Sequence, residues 1–234
     1  MNEIAIKCRG VNFHYESQNV LENIDFEIKK GEKIGIIGLN GSGKSTLLKL
    51  LIGLLKPSAG EILINGTKLD KKNLQELRKN IGYVFQNVDD QLFMPTVHED
   101  ISFGIMGTIP LDQIAEKTNQ TLKKYGIEHL RDKAPFQLSG GEKRTVAIAT
   151  VMIMAPEIIL MDEPTEGLDA KMRRKMITFI QNTQETFVIS SHDEKFIQSV
   201  CDNILVLHEG RLIRIDLPEV IYSDYEFLTQ YELI

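Results

Sequence analysis

The chain lacks the features that mark disulfide-bonded, secreted or membrane-spanning proteins. It has only two cysteines, Cys8 and Cys201, without CxxC spacing, which predicts two reduced thiols and no disulfide or metal site. The longest apolar stretch, residues 146–155, is interrupted by Thr150 and is much shorter than a membrane span. The N-terminal residues contain no apolar core of signal-peptide length. We therefore expect a soluble protein that meets a membrane only through a partner.

An excess of positive charge is also absent. The net charge is −6 and the pI is near 5.5, whereas a general nucleic-acid binder usually has a basic face, so we expect no nucleic-acid partner. The basic cluster at residues 171–175 is interpreted as a solvated helix face. The 234 residues show no repeat, low-complexity tract or long linker, and 42% are hydrophobic. This composition predicts a single domain over residues 1–234.

Apolar patterning predicts an α/β fold that begins with antiparallel strands. Apolar residues alternate over residues 4–8 and 11–15, as in half-buried strands, and another strand is predicted at residues 24–28. Residues 33–37 are apolar on both faces, which is typical of a buried parallel strand. Asn65–Gly66 predicts a hairpin turn. Further strands are predicted at residues 61–64, 83–85, 158–161, 187–190 and 204–207.

Helical patterns lie between these strands. From about residue 88 to residue 154 they predict a helical subdomain inserted into the fold. Within it, Pro110 and Asp112 favour the start of a helix that runs to Tyr125. The tail, residues 217–234, is expected to form one or two short helices. Two further helices are predicted at residues 44–54 and 142–154.

The stretch GLNGSGKST, residues 38–46, is a phosphate-binding loop. Gly38, Gly43, Lys44 and Ser45 fit the pattern G-x-x-x-x-G-K-[ST] between a buried strand and a helix. The glycines let backbone N–H groups face the α- and β-phosphates, the lysine reaches the β- and γ-phosphates, and the serine hydroxyl ligates Mg²⁺. The loop therefore predicts a nucleoside triphosphate together with Mg²⁺.

The stretch EIILMDEPTEGLD, residues 157–169, places two carboxylates at the end of an apolar strand. Asp162 follows that strand at its carboxyl end, where ligands bind in parallel sheets, and suits the second coordination shell of Mg²⁺. Glu163, one residue further out, can polarise an attacking water. Such a pair in a loop is usually only solvated, but a phosphate loop in the same chain favours the functional interpretation.

The stretch LSGGEKR, residues 138–144, looks like a second anion-binding turn. Ser139, Gly140 and Gly141 precede a predicted helix, and free N–H groups at a helix start attract anions. A chain with one nucleotide site has no evident need of two such turns.

These motifs and their order resemble the ATP-binding subunits of ABC transporters over roughly residues 3–215. The resemblance implies a P-loop NTPase fold of the RecA-like type, with a mostly parallel sheet, an N-terminal antiparallel β subdomain and a helical signature subdomain. Tyr15 matches the aromatic residue that stacks on adenine. Gln86, in YVFQN, matches the glutamine that senses Mg²⁺ and the lytic water, and His192, in VISSHD, matches the histidine that contacts the γ-phosphate.

The resemblance also implies three sets of site residues. The expected catalytic residues are Glu163, His192 and Gln86. The expected Mg²⁺ site consists of Ser45, Gln86 and Asp162. The expected ATP contacts are Tyr15, Gly38, Asn40, Gly41, Ser42, Gly43, Lys44, Ser45, Thr46, Ser139, Gly140, Gly141 and Glu142.

In this family two subunits pack head to tail, so that the signature loop of one covers the ATP on the other's Walker A loop. ATP binding closes the dimer and hydrolysis reopens it. The second anion-binding turn would then serve the neighbour's nucleotide. Because Glu163 and LSGGE are both intact in one chain, a homodimer is possible, and a heterodimer with a sister ATPase subunit is the alternative.

Residues 86–104, QNVDDQLFMPTVHEDISFG, resemble energy-coupling-factor importers, particularly the cobalt/nickel group. The resemblance implies an ATP-hydrolysing motor at the cytoplasmic face of the membrane, bound to integral membrane transport subunits and driving uptake of cobalt, nickel or another micronutrient such as a vitamin. Glu142 stands where most ABC proteins have glutamine, as in that group. Four residues depart from the usual pattern: Val88, Thr145, Met161 and Ala170 replace proline, arginine, leucine and proline.

Two alternatives stay open. Asp89 and Asp90 are interpreted as an acidic binding site for arginines of the membrane partner, but they also fit an ordinary solvated turn. The alternative function is a soluble ABC ATPase of an assembly system such as iron–sulfur cluster biogenesis. No substrate pocket is recognisable in the sequence, so the cargo is left open.

Overall fold

A computed structural model of the protein describes residues 3–16 and 18–234. The strands are β1 (Ile4–Tyr15), β2 (Gln18–Lys29), β3 (Lys33–Ile37), β4 (Ala59–Ile64), β5 (Thr67–Lys68), β6 (Ile81–Val84), β7 (Ile158–Asp162), β8 (Thr186–Ser190), β9 (Asn203–His208) and β10 (Arg211–Asp216). The helices are α1 (Lys44–Leu51), α2 (Leu74–Arg78), α3 (Val97–Phe103), α4 (Leu111–Tyr125), α5 (Gly140–Met152), α6 (Ala170–Gln181), α7 (Glu194–Val200), α8 (Pro218–Ser223) and α9 (Tyr225–Gln230).

The larger sheet has six strands in the order β10-β9-β3-β8-β7-β6. Its strands pair in parallel except for β10, which is antiparallel to β9 at one edge. Strands β7 and β8 are buried along their whole length, as expected for parallel strands covered on both faces. The register pairs Asp162 with Ser190, so the ends of these two strands meet at one edge of the sheet. The predicted mostly parallel sheet is confirmed.

The smaller sheet is antiparallel and has the order β2-β1-β4-β5. One long strand, β1, contains both alternating apolar segments, and its phase changes at Gly10 (φ +53°), where the register with β2 shifts. Asn65 and Gly66 both have positive φ and form the predicted hairpin turn between β4 and β5. The predicted N-terminal antiparallel sheet is therefore present.

Helices α3, α4 and α5 pack around a hydrophobic core of their own, which includes Ile101, Leu122 and Val146. Helix α4 has the predicted bounds and ends at Gly126, whose left-handed conformation (φ +66°) stops it. The tail forms two short helices, as predicted. Within the described residues, no helix is both long and apolar enough to cross a membrane.

Several boundaries differ from the predictions. Helix α1 ends at Leu51 instead of residue 54, because Gly53 adopts φ +69° and the chain leaves the helix there. Helix α5 spans Gly140–Met152 instead of residues 142–154, because Ser139 caps its start. Strand β6 ends at Val84, since the next N–H, of Phe85, donates to the side chain of Gln91. Helix α3 lies within the predicted helical subdomain, whereas α2 and β10 have no counterpart among the predictions.

Both cysteines are buried free thiols, as predicted. Burial raises the pKa of each thiol far above its ordinary value, which keeps both protonated and unreactive.

Candidate active site

The loop between β3 and α1 can pass close to its neighbours only because of its glycines. A Cβ atom on Gly38 (φ +153°) would lie 2.2 Å from the Leu207 carbonyl oxygen, and one on Gly43 (φ +102°) would lie 2.6 Å from the Leu21 side chain. Around Gly41, by contrast, a Cβ would meet no atom of residues 3–16 and 18–234 within 4 Å. The loop is therefore packed against the core on one side and open on the other.

Inside this loop, the Lys44 ammonium and the Ser42 hydroxyl are polar groups that can contact a ligand. The Lys44 ammonium donates to the carbonyl oxygens of Gly38 (2.7 Å) and Leu39 (3.0 Å). Burial lowers the pKa of Lys44, an effect that the nearby carboxylates of Glu163 and Asp162 oppose. The Ser42 hydroxyl is buried and has no hydrogen-bond partner among the residues that the structure describes. A cationic side chain, an unpaired hydroxyl and an open backbone turn together fit a bound polyphosphate.

Asp162 is oriented by the two strands beside β7. The Ser190 hydroxyl, on β8, donates to Asp162 Oδ1 at 2.5 Å, and the Tyr83 hydroxyl, on β6, lies 3.4 Å from Oδ2. Burial and the neighbouring Asp162 carboxylate raise the pKa of Tyr83, so its hydroxyl stays protonated and able to donate. Asp162 itself is only 4% exposed. An oriented carboxylate of this kind suits the outer shell of a Mg²⁺ ion.

Glu163 and His192 form a close pair beside it. Glu163 adopts φ +44°, and its N–H donates to the Ser190 carbonyl oxygen at 3.0 Å. Its Oε2 lies 2.9 Å from His192 Nδ1 and accepts from the His192 backbone N–H at 3.3 Å. Because a carboxylate only accepts hydrogen bonds, this contact requires a proton on Nδ1.

A cavity of about 820 Å³ brings most of the predicted residues together. At its edge Tyr15 is 45% exposed and packs edge-on against Phe13 (4.7 Å between ring centroids). Ser42 and Asp162 are buried and do not line the cavity. The predicted residues that line it are Tyr15, Gly38, Asn40, Gly41, Gly43, Lys44, Ser45, Thr46, Gln86, Glu163 and His192. Lining residues that were not predicted include Val20, Glu194, Tyr222, Leu228, Leu233 and Ile234.

Ser139, Gly140, Gly141 and Glu142 do not line this cavity. Ser139 caps α5, and its hydroxyl and N–H donate to Glu142 Oε2 at 2.7 and 2.8 Å. These bonds lower the pKa of Glu142, so it is ionised at neutral pH. Within one chain, the second anion-binding turn is thus separate from the phosphate-binding loop.

Gln86 has polar partners that sequence reasoning missed. Its side-chain amide donates to Glu166 Oε2 at 2.9 Å. The buried guanidinium of Arg144, on α5, donates to the carbonyl oxygens of Phe85 (2.7 Å) and Gln86 (2.9 Å). No local pattern in the sequence indicates these contacts, which join residues far apart in the chain.

The segment after Gln86 is also tied to α5. Lys143 Nζ lies 2.6 Å from Asp89 Oδ1, so Asp89 already has a partner within the chain. The Gln91 amide bonds to Phe85 on one side and to Ala147 and Thr150 of α5 on the other. The acidic binding site predicted at Asp89 and Asp90 stays a prediction, with Asp89 paired inside the chain and Asp90 exposed.

The chain is similar to known ATP-binding proteins of transporters. The ABC transporter family model matches residues 21–166. The energy-coupling factor transporter ATP-binding protein EcfA of Methanocaldococcus jannaschii is 39% identical over 97% of this chain and 84% of its own length. A putative ABC transporter ATP-binding protein of Geobacter sulfurreducens is 40% identical over 100% of this chain and 94% of its own length.

Two solved structures are similar over most of the chain. A CbiO subunit of Clostridium perfringens, described as part of the ABC transporter complex CbiONQ, has a TM-score of 0.85 and 37% identity, covering 99% of this chain and 95% of its own. A dimeric ATP-binding cassette bound to ADP and phosphate in a post-hydrolysis state has a TM-score of 0.81 and 30% identity, covering 91% and 98%.

The fold and the site define a P-loop ATPase that binds ATP with Mg²⁺. The chain belongs to the ABC transporter family, as an ATP-binding subunit of the energy-coupling-factor type that couples ATP hydrolysis to transport.

Proposed function

We propose that this subunit is the motor of an importer for cobalt, nickel or another micronutrient such as a vitamin, acting at the cytoplasmic face of the membrane. The main observation in favour of ATP hydrolysis is that one cavity is lined by Lys44, Ser45, Glu163 and His192. The importer part is supported by the relatives named as energy-coupling factor proteins and by the CbiO neighbour from a CbiONQ complex. The cargo assignment rests on that likeness.

The residues of the cavity and the buried Asp162 divide the chemistry between them. The loop N–H groups and Lys44 bind the phosphates of the substrate, and Tyr15 offers its ring to the adenine. Ser45, Asp162 and Gln86 would hold Mg²⁺, which when bound neutralises charge on the phosphates. Glu163 accepts a proton from the attacking water, and His192 contacts the γ-phosphate.

The separate position of the signature turn supports a two-chain site. Ser139 and its neighbours lie outside the cavity of their own chain, so an ATP bound there meets them only from a second subunit. We propose a head-to-tail dimer that ATP binding closes and hydrolysis reopens, either a homodimer or a heterodimer with a sister ATPase. The intact Glu163 and Ser139 in one chain are compatible with identical partners.

The surface beyond Gln86 is the proposed docking site for integral membrane subunits. Asp90 is exposed there, and nearby in sequence Phe93 (64% exposed) and Phe103 (50% exposed) contact each other edge-on at 5.1 Å. Exposed aromatic rings beside a carboxylate suit a partner surface that carries both apolar groups and arginines. For the alternative, a soluble ATPase of an assembly system, we find no observation in its favour.

Glu163→Gln tests the catalytic proposal. Because the amide cannot take a proton from water, steady-state ATPase activity should fall by about 10²–10⁴-fold, the usual contribution of a general base, while ATP still binds. The variant should accumulate an ATP-bound dimer on size-exclusion chromatography. Glu219→Gln, which makes the same change at an exposed residue of α8, is the control and should keep normal activity. Near-normal turnover of Glu163→Gln would overturn the assignment.

A further inference from the structure

Gln86 lies between two charged residues for which the proposed mechanism has no role. Arg144 belongs to the helix that the signature turn begins, and Glu166 belongs to the EGLD segment after β7. Both contact Gln86, one at its main chain and the other at its side chain. Together with Gly140 and Gly167, these residues line a second cavity of about 400 Å³, and Gln86 and Glu166 also line the ATP cavity. Three segments of the fold therefore meet at this glutamine.

Arg144 fixes the main chain of Gln86. Its guanidinium is 4% exposed and makes two hydrogen bonds to consecutive carbonyl oxygens, those of Phe85 and Gln86. The planar fork of a guanidinium matches two adjacent acceptors in one geometry, which a lysine ammonium does not do. The chain is held in this way directly after strand β6 ends, where ladder hydrogen bonds no longer position it.

Glu166 selects the orientation of the Gln86 amide. A carboxylate only accepts hydrogen bonds, so the amide must present its NH₂ group to Glu166, as it does at 2.9 Å. The amide oxygen Oε1 then becomes the free end of the side chain. That oxygen is the only amide atom that ligates Mg²⁺, because hard cations take oxygen ligands.

We propose that Arg144 and Glu166 are positioning residues for Gln86: Arg144 holds its backbone, and Glu166 turns its amide so that Oε1 is the atom offered to Mg²⁺. This inference rests on the proposed role of Gln86 as a metal ligand. It assigns to Glu166 and to Arg144 a function in metal binding without direct contact with the ion.

The Mg²⁺ concentration for half-maximal ATPase activity, measured at saturating ATP, tests this inference. Glu166→Met removes the acceptor and should raise that concentration by about tenfold, the effect expected from losing one charge-assisted hydrogen bond. Glu166→Gln keeps a weaker, neutral acceptor that no longer selects the amide orientation, so its shift should be intermediate. Arg144→Lys should shift the requirement in the same direction, since the ammonium cannot hold both carbonyl oxygens.

Two controls test whether the effect belongs to this hydrogen bond. Glu116→Gln changes another exposed carboxylate that accepts from a glutamine amide, that of Gln120, but lies outside the ATP cavity, and should shift the Mg²⁺ requirement by less than about twofold. The Gln86→Ala variant reports the full contribution of the glutamine. If Gln86→Ala leaves the Mg²⁺ requirement unchanged, the proposed role of Gln86 fails and the inference fails with it. If only the Glu166 variants leave it unchanged, the inference alone is overturned.

A measurement without nucleotide or metal tests the hydrogen bond itself. The side-chain NH₂ signals of Gln86, assigned in ¹⁵N–¹H spectra by their loss in Gln86→Ala, should show slow hydrogen exchange in the unmodified chain. Glu166→Met should remove that protection. Because Glu166 is exposed, these variants should fold normally. Gln86 NH₂ signals that exchange at the same rate in both proteins would contradict the proposed orientation.

Discussion

Replacing Gln91 by alanine shows whether this residue supports the fold or belongs to the partner surface. Its amide makes three hydrogen bonds: Oε1 accepts from the Phe85 N–H at 3.1 Å, and Nε2 donates to the Ala147 carbonyl oxygen at 2.8 Å and to Thr150 Oγ1 at 2.9 Å. These bonds join the segment after β6 to the middle of α5. Gln91→Ala should therefore destabilise the protein, although Gln91 lies in the stretch that resembles importers.

The size of the effect follows from the partners left behind. Each neutral hydrogen bond contributes about 1 kcal/mol net, and a partly buried donor such as the Phe85 N–H costs roughly 1–3 kcal/mol when left unpaired. Thr150 Oγ1 also donates to Ala147, so those two groups keep one bond between them. The expected loss in the free energy of unfolding is therefore about 2–4 kcal/mol.

Urea unfolding followed by circular dichroism measures this loss. Gln120→Ala is the matched control, because the exposed Gln120 side chain, on α4, donates to the exposed Glu116. It should change stability by less than about 0.5 kcal/mol. A loss below about 1 kcal/mol for Gln91→Ala, within the range of a single hydrogen bond, would refute the structural role. Normal stability together with weakened binding of membrane subunits would instead show that Gln91 belongs to the docking surface.

Two further predictions concern Asp100 and Asp90. Asp100 is 4% exposed, and burial raises its pKa above the ordinary value even though it accepts from the Phe93 and Met94 N–H groups. Because the folded-state pKa lies above the unfolded-state pKa, the free energy of unfolding of the unmodified chain falls as pH rises from the second to the first. Urea unfolding from about pH 4 to about pH 8 should therefore show that Asp100→Asn becomes more stable, relative to the unmodified chain, as pH rises. A stability difference independent of pH would contradict this. Asp90→Asn should reduce co-purification with detergent-solubilised membrane subunits by about tenfold at low salt. The reduction should be smaller at high salt, because screening already weakens the contact that the unmodified chain makes. Asp132→Asn, a change at another exposed carboxylate, is its control, and equal retention of both variants would make Asp90 an ordinary solvated residue.

Residues within continuous motifs are predictable from the sequence because their partners are local or follow from strand order. The glycines at 38 and 43 are needed for the close packing of the loop, and a loop between a buried strand and a helix can be recognised without a structure. Asp162 is predictable from its place at the end of an apolar strand. Its bond to Ser190 follows once β7 and β8 are known to be parallel neighbours.

The contacts around Gln86 are not predictable in this way. Arg144 lies 58 residues from Gln86, and Glu166 lies 80 residues from it. In the sequence, an arginine in the first turns of a helix and a glutamate in a turn both look like ordinary solvent-exposed residues. Only packing of α5 against the end of β6 buries the guanidinium and gives it backbone acceptors. The same holds for the tail residues at the ATP cavity, whose position depends on how α8 and α9 fold back.

Thr145 and Arg144 show how adjacent residues of one helix reach different partners. The family pattern has arginine at position 145, but here the Thr145 hydroxyl donates to the Gly141 carbonyl oxygen within α5. Arg144 lies about 100° away around the helix, and from that face its guanidinium reaches the carbonyl oxygens of Phe85 and Gln86. The role of a charged residue in such a motif is therefore best judged by the acceptors that it meets in three dimensions, which for Arg144 belong to the segment after β6.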